Sequence, residues 1–160
     1  MRKERRPSPD KDHECVYYLD TLHAERLSPA LGADLVGMRA ESLRDPALIE
    51  SLYEMLIEHQ VVFIRDADLH PVDLVRLGES LGTLGARHHS YPTHPDADDV
   101  VVLSWQGDDT PDAAEWHSDM TYRERPPFAS ILRAVELPPV GGDTLWASMH
   151  SVYESLSDGL

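Results

Sequence analysis

Helical periodicity of any length is confined to residues 45–82 of this chain, and most of the sequence beyond residue 82 is cut into short extended runs by proline, glycine and aspartate. Asp45-Pro46 reads as an N-cap followed by proline at the first helical position. Leu48, Leu52, Met55, Leu56 and His59 then recur at helical spacing, which predicts an amphipathic helix to about residue 59. Pro71 opens a second helix, with Leu74, Leu77 and Leu81 on one face and Gly82 closing it. Leu31 to Gly37 alternates weakly between turn-like glycines and predicts a short strand. The β-branched runs Val61-Val62-Phe63-Ile64 and Val100-Val101-Val102-Leu103 predict buried strands. Phe128 to Val135 and Thr144 to Trp146 predict two more, on either side of a tight turn at Pro138-Pro139-Val140-Gly141-Gly142. Ser148 caps a final short helix carrying Val152, Tyr153 and Leu156. Short strands beside a helical flank point to a mainly β fold with flanking helices (α+β) and a jelly-roll core.

A chain of 160 residues is the size of one domain and can bury a core. Its net charge of -15, with 14 Lys and Arg that are scattered or gathered at the N-terminus, argues against a nucleic-acid partner. Residues 1–15 read as a disordered extension: they are charged, without the apolar run a secretory signal needs, and order is expected from about Val16 onward. No window approaches the length of a membrane span. The single cysteine, Cys15, cannot form an internal disulfide, which fits a reducing compartment, and a cytoplasmic location is the expectation.

Candidate chemistry centres on Trp116-His117-Ser118-Asp119-Met120-Thr121-Tyr122. On a strand, His117, Asp119 and Thr121 would share one face and Trp116, Ser118, Met120 and Tyr122 the other. An imidazole and a carboxylate would then project side by side, as half of the two-His, one-carboxylate facial triad that holds non-haem Fe(II). The triplet alone is weak: with 9 His and 17 Asp among 160 residues, about one is expected by chance. A second one, His94-Pro95-Asp96, lies among prolines and aspartates that argue for a loop. By pattern alone, a half-buried, hydrogen-bonded pair without function is the commoner explanation of His117 and Asp119. Zinc is a further option for the same ligands, although no third ligand or general base stands out nearby. His88, His89, Tyr91 and His94 crowd an irregular stretch, which reads equally as a polar loop.

Three stretches of this region, taken together, resemble the taurine dioxygenase family of Fe(II)- and 2-oxoglutarate-dependent oxygenases: Trp116 to Tyr122, Arg125-Pro126-Pro127, and Glu136 to Trp146 with its Gly141-Gly142-Asp143-Thr144. Leu31-Gly32-Ala33-Asp34-Leu35, His59-Gln60-Val61-Val62-Phe63-Ile64-Arg65-Asp66 and His88-His89-Ser90-Tyr91-Pro92 continue the likeness in order, over about residues 27–160. The resemblance implies the N-terminal portion of such a domain at residues 16–160, with Fe(II), 2-oxoglutarate and O2 as its reaction partners. It assigns His117 and Asp119 to the metal, Thr144 to a carboxylate of 2-oxoglutarate, and His88 and Tyr91 to a small anionic substrate such as taurine, another sulfonate or an alkyl sulfate. It further implies hydroxylation of a substrate C–H with conversion of 2-oxoglutarate to succinate and CO2. For a sulfonate, the product then releases sulfite and an aldehyde.

Two departures accompany the likeness. The taurine-specific members carry Asn four residues before the first metal ligand, where this chain has Ala113, so taurine is the less secure substrate. The family's second metal-binding His, and the two Arg that grip 2-oxoglutarate and the substrate anion, have no counterpart here; His150 reads as a helix-surface residue. The expectation is therefore a jelly roll truncated before its C-terminal half, with open strand edges. The alternative is a non-catalytic fragment that binds metal weakly or pairs with another chain, for instance as a homo-oligomer.

Overall fold

The computed structural model describes residues 22–86, 90–107 and 115–159. The expected extension at 1–15, the start of order at Val16, and the positions His88, His89 and Ala113 lie outside the described residues.

Strands β1 (His23–Arg26) and β2 (Ala33–Val36) form an antiparallel hairpin in which His23 faces Val36 and Arg26 faces Ala33. Its loop closes through Leu27 N–H to the Gly32 carbonyl at 2.9 Å, and the Ser28 hydroxyl accepts from Leu31 N–H at 3.1 Å. Gly32 has φ +91°, a conformation that side chains resist, which accounts for glycine there. A 3-10 turn (Ala40–Arg44) leads into helix α1 (Pro46–His59). Asp45 caps α1 as the sequence predicts, its carboxylate accepting from Ala47 N–H at 2.9 Å.

The chain leaves α1 through Gln60 at φ +64° and enters β3 (Val62–Phe63), which lies parallel to β2 with Ala33 opposite Val62. Gly32 N–H to His59 O at 2.9 Å and Ala33 N–H to Val61 O at 3.0 Å extend that junction. The sheet order is β1-β2-β3, with α1 as the crossover required between parallel neighbours. Helix α2 (Pro71–Leu81) ends at Gly82 as expected. A second, two-stranded sheet pairs β4 (Thr93–His94) with β5 (Ala97–Val101) around the Pro95-Asp96 turn, which corrects the loop expected about His94-Pro95-Asp96: His94 is a ladder residue, and the turn is confined to Pro95 and Asp96. A short helix α3 (Met149–Glu154) follows Ser148, whose hydroxyl accepts from Ser151 N–H at 3.2 Å.

The core sits where the sheet meets the helices. Leu35, Met38, Leu52 and Leu77 are buried together, flanked by Leu22, Ala24, Leu43, Ile49, Met55, Val62, Ile64 and Leu81. Leu52 and Leu77 come from the predicted helical faces, so the helical pattern and the burial agree.

Several strand expectations need correction. Val61 to Ile64 is half-buried and only Val62 and Phe63 join the ladder. The strand expected at residues 100–103 instead runs from Ala97 to Val101, and Val102 and Leu103 are exposed. Residues 116–122, 128–135 and 144–146 form no ladder. Alternation specifies which side chains share a face but supplies no neighbour, and an extended segment without a paired neighbour satisfies none of its backbone groups in a sheet. The described residues hold two small sheets and no closed barrel, a mixed α/β arrangement with few strands rather than a mainly β one.

Among the described residues, side-chain contacts lay the later part of the chain across the first half. Phe128 stacks on Tyr53 of α1, and Ile131 approaches Gly78 of α2, where an added Cβ would lie 3.9 Å from its Cδ1. The Arg133 guanidinium lies 3.7 Å from Asp68, and Trp146 meets Phe63 of β3 edge-on with ring centroids 5.4 Å apart. Arg65, 2.7 Å from Asp34, covers the same Phe63 ring at 4.7 Å. Beyond these anchors many apolar side chains remain in water, with Tyr122 at 82% and Val140 at 88% exposure, which is unusual for so large a share of a segment.

Candidate metal site

Residues 115–118 reach the site with extended or bent backbone, and Met120 then takes φ +51°. The turn begins at Asp119 and Met120 takes a left-handed conformation within it; the Arg123 N–H returns to the Met120 carbonyl at 3.1 Å. The turn is the local reason that the alternation of Trp116 to Tyr122 does not become a strand. His117 precedes the turn and Asp119 lies in it, and their side chains meet: Nε2 of His117 lies 3.2 Å from Oδ1 of Asp119.

Each side chain has a second partner. Nδ1–H of His117 donates to the Glu115 carbonyl at 2.8 Å, which leaves Nε2 as the nitrogen with a free lone pair in the neutral ring. Oδ2 of Asp119 accepts from the Ser130 hydroxyl at 3.1 Å. Both residues are half exposed, with side-chain exposures of 52% and 59%. The Glu115 carbonyl is the main cause that raises the His117 pKa above its ordinary 6.5; loss of hydration opposes it next, and the neighbouring Asp119 carboxylate adds smaller upward contributions.

The donor set suits a divalent transition metal. Two adjacent ligands of a six-coordinate ion, each about 2.1 Å from it, stand about 3.0 Å apart, and the Nε2–Oδ1 separation is 3.2 Å. One imidazole, a borderline donor, and one carboxylate, a hard one, are the combination found in non-haem Fe(II) sites. Among the described residues no third His, Cys, Asp or Glu joins them.

The profile of the family described as taurine catabolism dioxygenase TauD, TfdA family, matches residues 23–160. The chain belongs to the TauD/TfdA family. Among its relatives, an alkylsulfatase of Acinetobacter baylyi is 30% identical over 86% of this chain and 43% of that protein. An alpha-ketoglutarate-dependent sulfate ester dioxygenase of Pseudomonas putida is 34% identical over 87% of this chain and 46% of its own length. An alpha-ketoglutarate-dependent sulfonate dioxygenase of Saccharomyces cerevisiae is 28% identical over 87% and 36% respectively. The chain thus spans about half the length, or less, of these curated relatives.

Of the residues that the TauD/TfdA resemblance singles out, the structure brings His117 and Asp119 together. Tyr91 is half-buried just before β4, while its expected companion His88 lies outside the described residues. Thr144 is exposed, two residues before the Trp146 that rests on Phe63, and no hydrogen bond joins it to His117 or Asp119. His150 is a helix-surface residue as expected, 3.4 Å from Glu154. Sequence reading missed Ser130 and the Glu115 carbonyl. A backbone carbonyl leaves no trace in sequence, and Ser130, eleven residues from its partner, sits within a run read only for its apolar neighbours. No helix among the described residues is long and apolar enough to cross a membrane.

Proposed function

We propose that this chain is the metal-bearing part of an Fe(II)- and 2-oxoglutarate-dependent dioxygenase that hydroxylates a small organic anion, a sulfonate or alkyl sulfate being the preferred class. The observation that carries the reading is the His117–Asp119 pair, with 3.2 Å between Nε2 and Oδ1 and the ring held by the Glu115 carbonyl. The relatives named for sulfate esters and sulfonates support the substrate class. The bound iron supplies O2 activation coupled to oxidation of 2-oxoglutarate to succinate and CO2.

The chain's own residues bind and orient. His117 offers Nε2 and Asp119 offers Oδ1; Thr144 donates its hydroxyl to a carboxylate of 2-oxoglutarate; His88 and Tyr91 donate to the substrate anion and hold it so that one C–H faces the metal. In this reading the third ligand and the Arg that pairs with 2-oxoglutarate belong to sequence matching the remaining half of the relatives. That sequence also supplies neighbours to residues 116–122, 128–135 and 144–146, completing a jelly roll over the apolar surface they now expose. A cytoplasmic setting follows from the same reading, since the reaction needs ferrous iron and 2-oxoglutarate.

One observation favours a second reading, that the chain by itself is non-catalytic: only two donors converge among the described residues. Purified chain incubated with Fe(II), ascorbate, 2-oxoglutarate and a panel of sulfonates and alkyl sulfates separates the two. Substrate-dependent succinate supports a dioxygenase that is active as it stands. Succinate only after a relative's C-terminal half is fused on supports the metal-bearing part in need of its complement, and none in either case defeats the proposal.

A further inference from the structure

Asp119 has two chemically equivalent oxygens, and the structure makes them different. Oδ1 faces the His117 Nε2 at 3.2 Å, while Oδ2 accepts the Ser130 hydroxyl at 3.1 Å. The carboxylate is otherwise half exposed, so rotation about its side-chain bonds would exchange the two oxygens unless something holds one of them. Ser130 is well placed to do so because its segment is fixed on both sides. Phe128 stacks on Tyr53 two residues before it, and Ile131 and Arg133 meet Gly78 and Asp68 just after it.

We propose that Ser130 is a positioning residue for the metal: its hydroxyl occupies Oδ2 of Asp119 and thereby presents Oδ1 alone, as a one-oxygen ligand beside His117. A hydrogen bond to an ionised acceptor is among the stronger ones, and partners of this kind orient a ligating carboxylate. Holding back the second oxygen keeps Asp119 a one-oxygen donor, which would leave room beside it for the 2-oxoglutarate and O2 that the proposed reaction would use. The inference rests on the reading of His117 and Asp119 as metal ligands.

The test uses the full chain labelled with 13C-histidine and Co(II) as an air-stable stand-in for Fe(II), following the paramagnetic shift and broadening of the His117 imidazole resonances, assigned through His117→Asn. Wild type should respond saturably, Ser130→Ala should raise the Co(II) dissociation constant about 10-fold, and Ser130→Thr, which keeps the hydroxyl, should stay close to wild type. If wild type binds and Ser130→Ala binds equally well, the role of Ser130 is overturned while the ligand pair stands. If Thr fails along with Ala, the hydroxyl is not what matters, and the proposal falls for that reason. If the wild-type His117 resonances do not respond to Co(II), the ligand pair itself is wrong and Ser130 loses its role with it.

Discussion

Phe128 stacks on Tyr53 with ring centroids 5.1 Å apart and planes inclined by 26°. This contact fastens the segment that carries Ser130 to the exposed side of α1. Stacked aromatic pairs couple by about 0.5–1.5 kcal/mol beyond the area they bury. A double-mutant cycle of Tyr53→Ala and Phe128→Ala in urea denaturation should return a coupling energy in that range. Additive single effects would mean that the segment is not held by this pair.

The pH behaviour of His117 is set by its neighbours. The Glu115 carbonyl, and after it the Asp119 carboxylate, favour the protonated ring and lift its pKa above the ordinary 6.5. A pKa raised in the folded state contributes stability that is fully present below the unfolded value and is lost as pH rises through the folded one. The window therefore opens at about pH 6.5 and extends upward. Titration of the His117 imidazole by NMR should give a midpoint above 6.5, and Asp119→Asn should lower it. A metal must displace the same proton, so Co(II) affinity should weaken as pH falls through that midpoint. A His117 midpoint at or below 6.5 would contradict the geometry.

Core and surface positions of α1 should differ sharply. Leu52 is 3% exposed amid Leu35, Met38 and Leu77, whereas Ile57 on the same helix is 56% exposed. Leu52→Ala should cost about 2–5 kcal/mol, and Ile57→Ala within about 0.5 kcal/mol. Urea midpoints of the two variants measure the contrast, and similar losses would place the core elsewhere.

Legibility from sequence depended on how local the determining interactions are. Both long helices could be read because Asp45, Pro46, Pro71 and Gly82 mark their ends and the leucine spacing marks their faces, all within a few residues. The short β1 strand, His23-Ala24-Glu25-Arg26, carries no apolar alternation and is extended because β2 lies beside it, a fact absent from its own residues. Val102 and Leu103 look like core residues and are exposed, since burial depends on what covers them. The meeting of His117 with Asp119 was legible as a two-residue spacing. Its realisation owes nothing to a strand: His117 lies in irregular backbone, and Asp119 lies in the turn that carries Met120. Ser130 was invisible because its pairing depends on three-dimensional anchoring at Phe128 and Arg133.

The sheet of β1, β2 and β3 and its crossover helix lie within residues 23–63; the hairpin joins near neighbours, and the parallel pairing joins Ala33 to Val62 across the helix. The hairpin pays little loop-closure entropy, whereas the parallel pairing waits on the helix between its strands; both precede the second half of the chain in order of synthesis. During synthesis, that unit would be assembled before Trp116 leaves the ribosome, and the metal-bearing turn would be laid down on a finished platform instead of helping to build one. Damage to the turn should therefore spare the hairpin and its helix, while damage to the helix should cost the turn its footing.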